Sequence, residues 1–146
     1  MSDKALAVDA WEALFRAQVS VLRQLNLEFP TEELSFNEYD VLFNLSRQPG
    51  RKLRLRDLNK HLLLTQPSVS RLVDRLVEQK LVVKESDPGD GRGTIVCLTD
   101  AGNELFRRVA VVHADSIWRR VGGALNADEL AQLTRLTDKL RLGSTS

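Results

Sequence analysis

The chain has 146 residues, of which 42% are hydrophobic, 28% charged and 5% aromatic, and this size and composition suit a single globular domain spanning 1–146. Two acids and a lysine lie within the first nine positions, and no apolar run is long enough to cross a bilayer, so we expect a cytoplasmic protein without membrane contact. A single cysteine, Cys97, excludes an internal disulfide.

Positive charge is concentrated in the middle of the chain, although the net charge is only +1. Residues 51–97 carry 10 basic and 6 acidic side chains, whereas residues 1–50 carry 4 basic and 8 acidic ones. A local excess of cations is typical of proteins that bind nucleic acid, and a solvated charged face is the alternative interpretation.

Helical patterns begin near the N-terminus. Apolar residues recur every three or four positions over 5–27, which predicts one long helix that Pro30 ends. Ser35 and Glu38 have the spacing of a capping box, so we expect a second helix to begin there and to end before Pro49.

Two helices in close succession follow a short strand predicted at 51–53. Leucines at positions 55, 58 and 62 mark a helix of about two turns. A further helix is predicted over 65–79, with Thr65 as its N-cap and Pro67 in its first turn. Its apolar stripe consists of Val69, Leu72, Val73, Leu76 and Val77. Its opposite face carries short polar and cationic side chains, namely Gln66, Ser68, Ser70, Arg71 and Arg75.

The remaining elements are a hairpin and two helices. β-branched residues on both sides of a glycine-rich, charged loop over 87–93 predict the hairpin. A long helix should follow Thr99 and bend or stop at the glycine pair 122–123, and Asn126 with Glu129 should cap the last helix. The order of elements predicts a mostly α fold with a small β-hairpin wing, a winged helix-turn-helix flanked by helices at both ends.

This arrangement of residue types suits a reader of double-stranded DNA. Serines on the fourth helix let its backbone approach base edges, and arginines reach a guanine or a phosphate. Arg92, at the tip of the wing, is placed to enter a narrow minor groove, and Asp90 could hold its guanidinium. The predicted DNA-binding residues are Arg51, Lys52, Arg56, Thr65, Gln66, Ser68, Ser70, Arg71, Arg75, Asp90 and Arg92.

The segment from Leu72 to Gly102 resembles the MarR family of bacterial winged-helix regulators. The family's wing carries Asp-x-Arg, here at 90–92, and its next strand ends in Leu-Thr-x-x-Gly, here at 98–102. The chain departs from the family pattern at three positions. Lys80 stands where glycine is usual, Asn59 where alanine is usual, and Arg54 where a serine or threonine cap is usual. The resemblance implies a winged region over 34–98 and dimerisation helices over 4–28 and 99–142.

The terminal helices display more apolar surface than a small winged domain can cover, which predicts a homodimer that reads a pseudo-palindromic operator. The candidate dimerisation residues are Leu6, Leu14, Leu125, Leu130, Leu133, Leu136 and Leu140. The resemblance also implies control by a small, often aromatic or anionic effector that binds between the dimer helices and the winged domain. Candidate ligand residues are Trp11, Asp40, His113 and Trp118.

The sequence carries no signature of catalysis, of a cofactor or of a metal site. There is no nucleophile elbow, no phosphate-binding glycine loop before a helix and no metalloprotease motif, so we expect a regulator rather than an enzyme. Cys97 lies in a predicted strand, where a small structural residue is the better interpretation than a redox sensor. The alternative function is a protein-interaction module that uses the winged fold without specific DNA binding.

Overall fold

The computed structural model describes residues 2–63 and 68–143, and it confirms the expected mostly helical fold with a small sheet. Its α-helices are α1 (Asp3–Glu28), α2 (Phe36–Ser46), α3 (Leu55–His61), α4 (Val69–Glu78), α5 (Asp100–Ile117) and α6 (Ala127–Gly143). Its strands are β1 (Lys52–Arg54), β2 (Val82–Asp87) and β3 (Asp90–Leu98). Within the described ranges, no helix combines the length and the apolar character that a membrane span needs.

The three strands form one antiparallel sheet in the order β1-β3-β2. The predicted hairpin of β2 and β3 is confirmed, with Val82 opposite Leu98, and a bulge interrupts its register between Ser86 and Asp87. β1 pairs with the free edge of β3, a contact that local sequence patterns do not reveal. The sheet therefore connects the wing directly to the strand that precedes α3.

The chain divides into two compact units. The winged unit is Phe29–Val112, and the helical unit combines Met1–Glu28 with His113–Ser146. Most of α5, up to Val112, belongs to the winged unit because Leu105 and Val109 are buried in its hydrophobic core. The winged region was predicted over 34–98 and the second dimerisation segment over 99–142, whereas the compact unit that contains the wing runs from residue 29 to residue 112.

Both predicted capping boxes are present. The Ser35 hydroxyl accepts the backbone N–H of Glu38 at 3.1 Å, and the Glu38 carboxylate accepts that of Ser35 at 2.8 Å. Asn126 and Glu129 exchange the same two bonds at the start of α6. Reciprocal capping satisfies amide groups that have no partner within the helix, and it fixes both helix starts at the predicted positions.

The turn between α4 and β2 forces a lysine into the left-handed region. Lys80 has φ 62°, and the N–H of Leu81 donates to the carbonyl of Leu76 at 3.0 Å, as in a Schellman motif. Glycine is the residue that adopts this conformation without strain, so the lysine at this position, where the family usually has glycine, adds strain to the backbone.

The Leu-Thr-x-x-Gly sequence joins the sheet to α5. The Thr99 hydroxyl lies 2.9 Å from the carbonyl of Lys80 and accepts the N–H of Gly102 at 3.0 Å. A Cβ atom on Gly102 would overlap the carbonyl oxygen of Leu81. Glycine is thus required here for close backbone approach rather than for a positive φ.

A single π-helical turn, Trp118–Gly122, follows α5 at the bend that the glycine pair predicts. It directs two consecutive arginines to one carboxylate of the helical unit: Arg120 Nε and Arg119 Nη2 lie 2.7 and 3.1 Å from the oxygens of Glu28. Hydrogen bonds from Arg120 and then Arg119 hold the pKa of Glu28 below its ordinary value. The turn therefore fastens the end of α5 to the end of α1.

Candidate nucleic-acid interface

The fourth helix is amphipathic, as predicted. Leu72, Val73 and Leu76 are fully buried in the core of the winged unit. The N-cap of the described helix is Ser68, whose hydroxyl oxygen accepts the N–H of Arg71 at 3.2 Å, whereas Thr65 was the predicted cap. Both residue types are good caps, and local sequence does not decide between them. Thr65 and Gln66 themselves lie outside the described residues.

The exposed face of α4 presents the predicted polar set. Ser70, Arg71 and Arg75 are all exposed, whereas Ser68 is half-buried and uses its oxygen as the cap. The same face also carries Asp74, whose carboxylate pairs with Lys84 of β2. This ion pair, which sequence analysis missed, neutralises the one acid that lies between the two arginines and links α4 to the wing.

The cations around the start of α3 lie on the surface of the winged unit. Lys52 and Arg56 are exposed. Arg51 has φ 55° and places its guanidinium 3.4 Å from the carboxylate of Asp100, in the first turn of α5. Because both partners of that pair are well exposed, the pair contributes little stability, and a phosphate could compete for Arg51.

Arg92 lies at the exposed end of the wing. The Asp90 carboxylate accepts the backbone N–H of Arg92 at 3.1 Å and does not hold its guanidinium, so that part of the prediction is wrong. An aspartate side chain commonly accepts the backbone N–H two residues further along the chain, and that donor is closer to it than the guanidinium at the end of the arginine side chain. Among the described residues, the Arg92 guanidinium makes no ion pair or hydrogen bond, which leaves it available to an external anion.

Asp40, a predicted ligand residue, is occupied inside the winged unit. Its side chain is 4% exposed, and its two oxygens accept the backbone N–H of Leu63 and the amide of Asn44, each at 2.9 Å. The carboxylate thereby ties α2 to the residue that follows α3. Two polar residues four positions apart in a mainly apolar helix were the only sequence signal for this role.

The other three candidate ligand residues belong to the helical unit. Trp11 is 58% exposed and packs edge-on against Phe15 with 5.4 Å between ring centroids, and Trp118 is 66% exposed. His113 is buried, and burial lowers its pKa below the ordinary value of 6.5. A recess of about 560 Å³ lies along α1 beside Trp11 and Phe15 and is flanked by two arginines, Arg16 and Arg23.

The leucines predicted to dimerise divide into two groups. Leu6, Leu133, Leu136 and Leu140 are exposed, and Leu14, Leu125 and Leu130 are half-buried. Within the helical unit, an apolar recess of about 510 Å³ is lined by residues of α1 and α6 and by the chain between α5 and α6. An exposed apolar surface of this extent is typical of a face that another protein surface covers.

Cys97 is half-buried in β3, opposite Lys52 of β1. Burial, followed by the nearby Glu85 carboxylate, raises the pKa of its thiol. A raised pKa disfavours the thiolate that oxidants attack, which favours the interpretation of Cys97 as a structural residue.

Comparison with known proteins assigns this arrangement to one family. A model of the MarR family matches residues 33–93, which run from just before α2 to the first residues of β3. The chain is 34% identical to the uncharacterized HTH-type transcriptional regulator YkoM of Bacillus subtilis (strain 168), over 78% of this chain and 73% of YkoM.

Two solved structures are similar over most of their length. Sco3205, a MarR family transcriptional regulator from Streptomyces coelicolor solved in complex with DNA, is 26% identical, with a TM-score of 0.78 over 100% of this chain and 91% of that one. BpsR of Bordetella bronchiseptica, whose DNA binding is regulated by 6-hydroxynicotinic acid, is 26% identical, with a TM-score of 0.73 over 89% and 91%. The chain belongs to the MarR family of transcriptional regulators.

Proposed function

We propose that this protein is a dimeric, sequence-specific DNA-binding repressor that a small molecule releases from its operator. One observation carries the proposal: a single compact unit presents an amphipathic helix with exposed Arg71 and Arg75 together with a wing that ends in the unpaired Arg92. These are the parts that a winged helix-turn-helix uses in two different grooves. The function is binding rather than catalysis.

Each part has a distinct chemical task. Ser70, Arg71 and Arg75 on α4 would face base edges in the major groove, where an arginine reads guanine through two hydrogen bonds. Lys52 and Arg56 would neutralise phosphates, which adds affinity without sequence preference. The DNA present in the Sco3205 structure supports the assignment of this fold to duplex binding.

The dimer gives the interface its spacing. Exposed Leu133, Leu136 and Leu140 lie at intervals of three and four residues on α6, so they form one apolar stripe that a second copy would cover. A two-fold dimer presents two α4 helices, and half-sites about 34 Å apart make its operator a pseudo-palindrome.

The effector is proposed to bind in the helical unit. The exposed Trp11 and Phe15 supply aromatic surface beside Arg16 and Arg23, a combination that suits a small aromatic anion. Regulation of BpsR by 6-hydroxynicotinic acid is a precedent for this class of ligand in a similar structure. Asp40 is less suited to this role because its carboxylate is already hydrogen-bonded.

The test is a fluorescence-anisotropy titration against DNA from around the protein's own gene and against scrambled DNA, each at two salt concentrations. We expect preference for the former and weaker binding at the higher salt. Arg71→Ala should lower affinity by about 1 to 3 kcal/mol and relax base preference, whereas Arg56→Ala, the matched control, should weaken all sequences alike. No binding to either DNA at low salt would favour the protein-interaction module instead.

A further inference from the structure

The base of the wing contains a buried carboxylate. Asp87 ends β2 at the bulge, and its side chain is only 5% exposed. One of its oxygens accepts the N–H of Gly89 at 2.9 Å inside the turn, and the other lies 2.7 Å from Nε of Arg54. A Cβ on Gly93 would lie 3.0 Å from that of Asp87, so the carboxylate is enclosed by the wing on one side and by Arg54 on the other.

Arg54 occupies the junction between β1 and α3. It is the N-cap residue of α3, yet its side chain makes no capping bond. Serine, threonine, aspartate or asparagine would cap the helix at this position, and an arginine forgoes that stabilisation. Its guanidinium instead reaches across to Asp87, so the start of α3 and the base of the wing are joined by an ion pair with one buried partner.

The outer part of the wing has little packing of its own. Gly91 has no neighbour that a Cβ would touch within 4 Å, and the side chain of Arg92 is exposed. A recess of about 390 Å³ separates the wing from α3, and both Arg56 and Arg92 line it together with the ion pair. The spacing of these two free guanidinium groups therefore depends on what fixes the base of the wing.

We propose that the ion pair between Arg54 and Asp87 positions Arg92 for the minor groove, and that neither member of the pair is itself a DNA contact. The inference rests on the proposed function. A wing that pivots at its base would present Arg92 over a range of angles, and ordering it on DNA would then reduce affinity. The pair removes that freedom before DNA is bound.

The test is a double-mutant cycle on a duplex that the wild-type protein selects from a random pool. Asp87→Asn keeps the shape and the acceptor for Gly89 but removes the charge that holds Arg54. We expect Arg92→Ala and Asp87→Asn each to weaken binding by about tenfold. Because both act through Arg92, the double variant should bind no more than twofold less tightly than Arg92→Ala alone.

Two controls separate positioning from contact and from unfolding. Losses from Arg56→Ala and Arg92→Ala should multiply, because these residues are proposed to contact DNA independently. Glu85→Gln removes an exposed carboxylate of β2 that makes no ion pair with Arg54, and it should keep the affinity within twofold. Arg54→Gln should reproduce Asp87→Asn, and Arg54→Lys should restore part of the loss. Thermal unfolding of each variant identifies any that fail to fold.

Each outcome decides the matter. If the affinity losses from Asp87→Asn and Arg92→Ala multiply in the double variant, the ion pair acts independently of Arg92 and the inference is overturned. An unchanged affinity for Asp87→Asn overturns it as well. If Arg92→Ala binds like the wild type, the minor-groove role fails, and positioning of Arg92 fails with it. Failure to select any duplex contradicts the proposed function itself.

Discussion

Lys80 carries backbone strain that glycine would relieve. With φ 62° it holds the left-handed position after α4, where L residues other than glycine are disfavoured by about 1 to 2 kcal/mol. The greater conformational freedom of glycine in the unfolded chain offsets about 0.4 to 1 kcal/mol of the stability gained by relieving this strain. Lys80→Gly should therefore stabilise the protein by about 0.5 to 1 kcal/mol, which corresponds to a rise of roughly 2 to 4 °C in Tm for a chain of this size.

The measurement is urea unfolding followed by circular dichroism, at one fixed protein concentration because the proposed dimer would contribute to the apparent stability. Lys80→Ala is the matched control, since it removes the same charge near the end of α4 but keeps a Cβ in the left-handed position. We expect Lys80→Ala to be no more stable than the wild type. If the alanine and glycine variants unfold at the same urea concentration, the strain argument is refuted.

Three further predictions concern packing, a buried carboxylate and pH. Gly102→Ala should destabilise the protein by about 3 kcal/mol because the added Cβ would overlap a backbone carbonyl. Gly91→Ala should be close to neutral, because a Cβ there has no neighbour within 4 Å. Equal effects of the two substitutions in urea unfolding would contradict this. Asp40→Asn should cost about 1 to 3 kcal/mol and speed amide exchange at Leu63, and unchanged exchange would argue against the clamp. Burial lowers the pKa of His113, so near neutral pH the unfolded chain binds more protons than the folded one. His113 therefore contributes to stability above about pH 6.5, and this contribution is lost as the pH falls below that value. His113→Asn should flatten the dependence of unfolding free energy on pH, and an identical slope would refute the assignment.

Elements with a strong local signal were predicted from the sequence. Both capping boxes fix helix starts through bonds between residues only three positions apart, so the pattern contains the whole interaction. The apolar stripe of α4 identified its buried face for a similar reason, since helical periodicity alone decides which residues share a face. The exposed Arg71 and Arg75 followed from the same periodicity.

Interactions between residues far apart in the chain could not be predicted from the sequence. The pairing of β1 with β3, the hold of Asp40 on Leu63 and the ion pair of Arg54 with Asp87 each join residues more than twenty positions apart. Nothing in local periodicity or composition selects one such partner over another. The N-cap Ser68 could not be selected from the sequence either, because serine and threonine are both good caps and the sequence offers one of each three residues apart.

Internal ion pairs divide the basic residues of the middle section into two sets. Of the ten in residues 51–97, four are paired with a carboxylate, namely Arg51, Arg54, Lys60 and Lys84. The other six have no ion pair within the described part of the chain, and they are Lys52, Arg56, Arg71, Arg75, Lys80 and Arg92. The proposed dimer would thus offer this section's twelve unpaired cations to DNA, and each neutralised phosphate contributes about −0.9 to the slope of log affinity against log salt. These twelve alone give a slope no larger than about −11 in magnitude, and a steeper one would mean that paired cations such as Arg51, or cations outside this section, also reach the phosphates.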